Sequence, residues 1–196
     1  MWSALEAATR DCHPVADERW LEMVNGVMTL PAYRDHLVTV YGFEAPIEAA
    51  FAMTPRLGLV LDLRAHARAG WIVHDLFGLG MRPAKLARLP QCIDILPFLD
   101  PVEALGWLYV VERSTRFHKA LGAAVAHALP SAPMTYLSTP SFELRKAGLE
   151  SALERAVTSD AAHARVIDAA RDAFACQREW FERDVRISSP HLLAVR

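Results

Sequence analysis

Two histidines stand where an imidazole can do chemistry. His13 lies beside Cys12 and Pro14, with Asp17 one helical turn further on. One ring nitrogen there can take a metal while a carboxylate or a carbonyl holds the proton of the other. An ordinary, partly exposed histidine is the competing reading. His118 falls in a row with Ala104, Leu108, Val111, Thr115, Gly122, Val125 and Leu129, so it interrupts an apolar stripe. A buried histidine must be hydrogen-bonded, liganded or held neutral; a core histidine bonded to a backbone carbonyl accounts for it as well as a ligand does. Arg113, Ser114, Arg116 and Phe117 surround it and can form a cleft wall that receives an anion.

Other candidates are less specific. Trp2, Trp20, Trp71, Trp107 and Trp180 can line a planar pocket or simply dock helices. Arg165, Arg171, Arg178 and Arg183 alternate with Asp168, Asp172, Glu179 and Glu182, the pattern of a solvated helix face. The chain has no G-x-G-x-x-G, H-E-x-x-H or G-x-S-x-G. It also has no E-x-x-H, which a ferritin-like di-iron site needs on two helices.

The elements that must position these residues read as helices throughout. Ala is abundant, and no segment alternates cleanly as a strand does. A first helix is expected from about Ser3 to Met23, bent near Pro14. A second starts at Pro31 and carries Tyr33, Leu37, Val40, Tyr41, Glu44, Ile47 and Phe51 at helical spacing, with a kink at Pro46. A third runs from Pro55 to Leu79, stopped by Gly78 and Gly80, followed by a proline-rich loop around a short helix at Pro83 to Arg88. Asp100-Pro101-Val102-Glu103 is a strong helix start, with an N-cap, a first-turn proline and a capping-box acid. That helix is expected to reach Leu129. Another starts between Ser138 and Pro140, and Ser159 caps the last. The fold class is all-α, six or seven helices in a single domain over residues 1–196.

With 196 residues the chain can bury a sizeable core, and its 53% apolar and 22% charged content fits a globular protein. Its 21 Lys and Arg against 23 Asp and Glu supply no basic excess for nucleic acid. Cys12, Cys92 and Cys176 are far apart in sequence, without C-x-x-C, which fits a reducing compartment. The N-terminus lacks a signal-peptide pattern, and Ala120 to Phe142 is broken by His127, Pro130 and Pro133, so no membrane span is expected. A cytoplasmic protein is the expectation.

Motif order adds a family. Leu5-Glu6-Ala7-Ala8-Thr9-Arg10-Asp11-Cys12-His13 resembles the opening of the heme oxygenase family, with Leu, then Thr four on, then the proximal heme-ligand His eight on. Tyr33-Arg34-x-x-Leu37, Tyr41-Gly42-Phe43-x-x-Pro46-Ile47-Glu48 and His74-Asp75-Leu76-x-x-Leu79-Gly80 are similar to the bacterial branch associated with bacteriophytochromes. So are Ala104 to Glu112 with Ser114-Thr115, and Ala169-Ala170-Arg171-x-Ala173-Phe174 with Trp180. The resemblance implies heme held between an N-terminal and a distal helix, and cleaved by oxygen to biliverdin, carbon monoxide and ferrous iron. Electrons would come from a ferredoxin or a flavoprotein reductase. His13 takes the place of the iron ligand, and Asp17 that of a Glu that steadies it.

The distal motif departs from the family. Where the branch reads Glu-Gly-Ser-Thr-x-Gly-Gly, this chain reads Glu112-Arg113-Ser114-Thr115-Arg116-Phe117-His118. Arg113, Phe117 and His118 replace glycines that let a ring lie against backbone. Arg145 and Lys146 are candidate propionate partners, or a solvated pair at a helix start. Three readings follow: an oxygenase; a noncatalytic heme-binding or heme-sensing relative with His13 and His118 both on iron; or a heme-independent relative that uses its cleft for another small molecule or a protein. In the second, His118 makes the iron six-coordinate and blocks oxygen.

Overall fold

The computed structural model describes residues 1–138 and 140–183. His191 and the end of the expected 1–196 domain lie outside the described residues. Among these the chain is all helix, one multi-helix bundle without strands.

The chain opens with α1 (Trp2–Ala8), a 3-10 turn (Arg10–Cys12) and α2 (His13–Asn25). The bend expected near Pro14 is thus a full break before His13, which places Pro14 in the first turn of α2. Thr29 caps α3 (Leu30–Met53) by accepting from Ala32 N–H at 3.3 Å, and the helix runs on through Pro46. The single helix expected over 55–79 is instead three: α4 (Leu57–Val60), α5 (Leu63–His66) and α6 (Ala69–Gly78). Side chains dictate the breaks. Asp62 caps α5 through Arg64 N–H, and the Glu48 carboxylate accepts from Arg68 N–H at 2.5 Å and Ala69 N–H at 2.7 Å, capping α6 from another helix. Gly80, at φ +81°, takes the chain out of α6 where a Cβ would be strained. The short α7 (Pro83–Leu86) follows.

Asp100 caps α8 (Pro101–Ser114), accepting from Val102 and Glu103 N–H at 2.9 and 3.2 Å, while Glu103 reaches back to Leu99 N–H. The long helix expected beyond it is interrupted. A 3-10 turn over Thr115–Phe117 separates α8 from α9 (His118–Ala128). The chain closes with α10 (Phe142–Ala156), which begins later than expected, and α11 (Asp160–Glu182), capped by Ser159.

Two apolar clusters fill the bundle. One gathers α8, α10 and α11 around Trp2, Leu5, Tyr109 and Phe174; the other gathers α2, α3, α6 and α9 around Trp20, Tyr33, Leu121 and Tyr136. Each fully buried large side chain contributes about 1.5–3 kcal/mol. Every residue from Ala104 to Ser114 is buried, so α8 is the central rod of the molecule. It crosses α11 very closely at Gly106, where an added Cβ would stand 2.6 Å from Val166 O and 2.9 Å from Ala170 N. Both are backbone atoms and cannot rotate away. Overpacking of about 1–3 kcal/mol therefore exceeds the roughly 1 kcal/mol that Ala gains over Gly in a helix. Gly106→Ala is expected to lower unfolding free energy by up to about 2 kcal/mol net in urea titrations.

Candidate functional site

The break before α2 sets His13 at the head of that helix with its ring half-buried against α8 and α11. The ring centroid is 5.7 Å from that of Phe174. Its Nε2 lies 3.1 Å from Thr9 Oγ1 and 3.4 Å from the Tyr109 hydroxyl. Thr9 donates its only proton to Leu5 O at 2.8 Å. With the Thr9 proton committed, His13 Nε2 meets one hydroxyl that can only accept and one, Tyr109, that can also donate. Burial, helped by Arg113 and resisted by Asp17, lowers the pKa of His13 below its usual value.

Asp17 does not hold His13 by a hydrogen bond among the described residues. Its carboxylate instead spans from α2 to α8: Arg113 donates from Nη1 to Oδ1 at 2.6 Å and from Nη2 to Oδ2 at 2.9 Å. Arg116 in the 3-10 turn donates to Oδ2 as well. Arg113 is buried, so this fork is shielded from water and strong in its geometry. One turn further along α2, Trp20 stacks on Phe117, with centroids 6.0 Å apart and planes within 9°. Ser114 Oγ is spent on Val111 O at 2.7 Å.

His118 faces a different set. Its buried ring packs 5.8 Å from Trp20 and 4.6 Å from Tyr136, and its pKa is pushed well down, first by burial and then by Arg68 and Arg145. Thus His13 and His118 share no neighbouring side chain among these ring and hydrogen-bond contacts. Arg145 is committed elsewhere too: it donates to both oxygens of Glu112 at 2.6 and 2.8 Å and to the carbonyls of Ala65 and His66. Lys146 lies with Nζ 5.4 Å from the centre of the Trp2 ring.

A buried polar assembly that motif reading missed lies on the other side of α8. Arg68 donates to Glu44 Oε1 at 2.8 Å and to Val111 O, and Tyr136 donates to the same Glu44 oxygen at 2.9 Å. Burial raises the Glu44 pKa to about 7 even against Arg68. Glu112 goes the other way: burial opposes its charge, yet His66, Arg68 and Arg145 hold it down at about 2. The legible signal was a polar residue on an apolar face. His36 and Glu44 stand four residues either side of Val40 on α3, as His118 does on its own stripe.

The heme oxygenase family model matches residues 1–183. The chain belongs to the heme oxygenase family. Neither the curated proteins nor the solved structures gave a match. Within this family member, the ground between α2 and the α8–α9 turn can be tested for heme directly. A flat ring in van der Waals contact on both faces needs about 7 Å between its walls. Here the walls meet at 2.6–2.9 Å where Arg113 grips Asp17, at 3.4 Å from Tyr109 to His13, and at 6.0 Å between the Phe117 and Trp20 centroids. Heme does not fit between these residues as they stand. Cavities of about 510 and 460 Å³ lie elsewhere, along Gly58–Arg64 and beside Gly78, Leu79 and 128–133.

The buried histidines give a pH signature. His36 is enclosed, with neither ring nitrogen partnered among the described residues, and burial, aided by Arg19, pushes its pKa down to about 3 from 6.5. It is neutral when folded and takes up a proton on unfolding, so stability present above pH 6.5 is lost as pH falls toward 3. Each such group contributes up to about 1.4 kcal/mol per pH unit. Urea midpoints measured from pH 7 to 5 are expected to fall, and to fall less steeply in His36→Phe.

Proposed function

We propose that this protein is a noncatalytic binding member of the heme oxygenase family, whose cleft is latched by its own side chains. The observation that carries the reading is the two-pronged ion pair from Arg113 to Asp17, reinforced by Arg116, across the space between α2 and α8. Two guanidinium groups share one carboxylate there. An incoming ligand that competes with Asp17 must bring negative charge of its own, so the ligand class is a small anion, carboxylate or phosphate, more compact than heme. Motif order over residues 33–48, 74–80 and 104–112 supports kinship with the branch associated with bacteriophytochromes. No helix among the described residues is long and apolar enough to cross a membrane, which accords with a cytoplasmic setting.

A second reading is favoured by one observation. His13 is the half-buried imidazole whose lowered pKa keeps it neutral near pH 7, the state a metal ligand needs. In that reading the latch opens, His13 becomes the proximal ligand, and the protein cleaves heme to biliverdin with electrons from a ferredoxin or flavoprotein reductase. Arg145 and Lys146 have no part in the first reading; in the second, Lys146 is the freer of the two to meet a propionate.

Hemin titration separates the two. Wild type is expected to give no saturable one-to-one Soret change and no biliverdin after reductant and air. Arg113→Gly removes the fork and leaves Asp17 its contact with Arg116. That variant, checked for native helical content, is expected to bind hemin, and the additional His13→Ala change is expected to abolish the binding. Stoichiometric, His13-dependent binding with biliverdin release by wild type would overturn the latched reading and establish the second.

A further inference from the structure

Away from the cleft, two thiols far apart in sequence meet. Cys92, buried in the loop after α7, and Cys176, half-buried on α11, have Sγ atoms 3.6 Å apart, and neither is in a disulfide. A disulfide needs about 2.05 Å between the sulfurs. The gap to be closed is about 1.5 Å, within reach of small side-chain rotations.

The surrounding packing holds both partners in register. Cys92 N–H donates to Gly42 O on α3 at 2.8 Å. A Cβ on Gly42 would stand 2.5 Å from the Trp180 ring and 2.6 Å from Pro90 O, so the loop, α3 and α11 converge at a position open only to glycine. Trp180 is one turn beyond Cys176 and donates its indole N–H to Thr39 O at 2.9 Å. Arg183 binds Asp94 at 2.8 Å and ties the same loop to the end of α11 again. The third thiol, Cys12, contacts Asp11, and the sulfur–sulfur contact among the described residues is between Cys92 and Cys176.

We propose that Cys92 and Cys176 form an oxidation site, closing to an intrachain disulfide that staples the loop to α11. With a small-molecule disulfide as oxidant the chemistry balances in two exchanges. Cys176, the more accessible thiol, loses its proton and attacks one sulfur of the reagent, forming a mixed disulfide and releasing one thiolate. Cys92 then loses its proton and attacks Cys176 Sγ, displacing the second. Two protein thiols are oxidised, and one reagent disulfide is reduced to two thiols. Burial and the neighbouring thiol keep the Cys176 proton tightly held, its pKa pushed up to about 12, so the reaction is slow at neutral pH and faster in alkali.

The test uses the full chain, fully reduced and then treated with bis(2-hydroxyethyl) disulfide at pH 8.5. After quenching and maleimide labelling, mass spectrometry should show the 92–176 peptide pair linked and both thiols protected, in Cys12→Ser as in wild type. The linked protein should melt several degrees higher than the reduced one, and dithiothreitol should reverse the shift. Cys92→Ser should stop at a mixed disulfide on Cys176, with no rise in melting temperature. Recovery of both thiols as maleimide adducts, a stable reagent adduct on wild-type Cys176, or linkage between chains would each overturn the proposal. None of these outcomes depends on whether heme binds.

Discussion

A charged side chain carried into the centre of a bundle must meet its opposite there, and α8 carries two in succession. Glu112 and Arg113 are adjacent in sequence and leave the buried helix about 100° apart, toward different neighbours. Leaving either unpaired would cost roughly 3–5 kcal/mol. Glu112 therefore draws Arg145 from α10 and His66 from α5, while Arg113 draws Asp17 from α2. These two pairings fix where α10, the 55–79 segment and α2 lie against the central rod. Ser114 and Thr115 obey the same demand locally, returning their hydroxyls to the carbonyls three residues earlier.

The cleft follows from that constraint. With glycine at the position of Arg113, Asp17 would keep only Arg116 as a cationic partner across this space. A guanidinium there can be buried only by pulling α2 in. Phe117 acts in the same direction, since a phenyl ring at the 3-10 turn finds its apolar partner in Trp20. The turn itself lies between α8 and α9, and a tight turn with bulky side chains packs more closely than one with glycines.

Behind α8 the interior holds a group of buried polar side chains. Glu44, Arg68, Tyr136, His36 and His118 are enclosed together with mutually opposed proton preferences: the carboxyl is pushed up, the imidazoles down. Each shift has burial as its leading cause, and the arginines act on both kinds of group, favouring an ionised Glu44 and neutral imidazoles. Such a set is stable only while it stays dry and aligned, which ties acid tolerance to the packing of His36 and His118 about Trp20 of α2.

How much of this was written in the sequence can be traced residue by residue. Asp100 and Ser159 declared their helices because capping is a local interaction between a side chain and a backbone two or three residues on. The apolar rows of α3 and α11 were legible for the same reason, as were the family motifs, which are short and ordered. The splitting of 55–79 was not, because the cap of α6 comes from Glu48, some twenty residues away on another helix. Nor could the fate of Arg113, Asp17, Arg145 and the two cysteines be read from spacing. Each is decided by a partner that only the folded chain brings near. Helix content and kinship were local properties, and the closed cleft, the polar interior and the thiol pair arise from long-range contacts whose electrostatics and packing exist only in the tertiary structure.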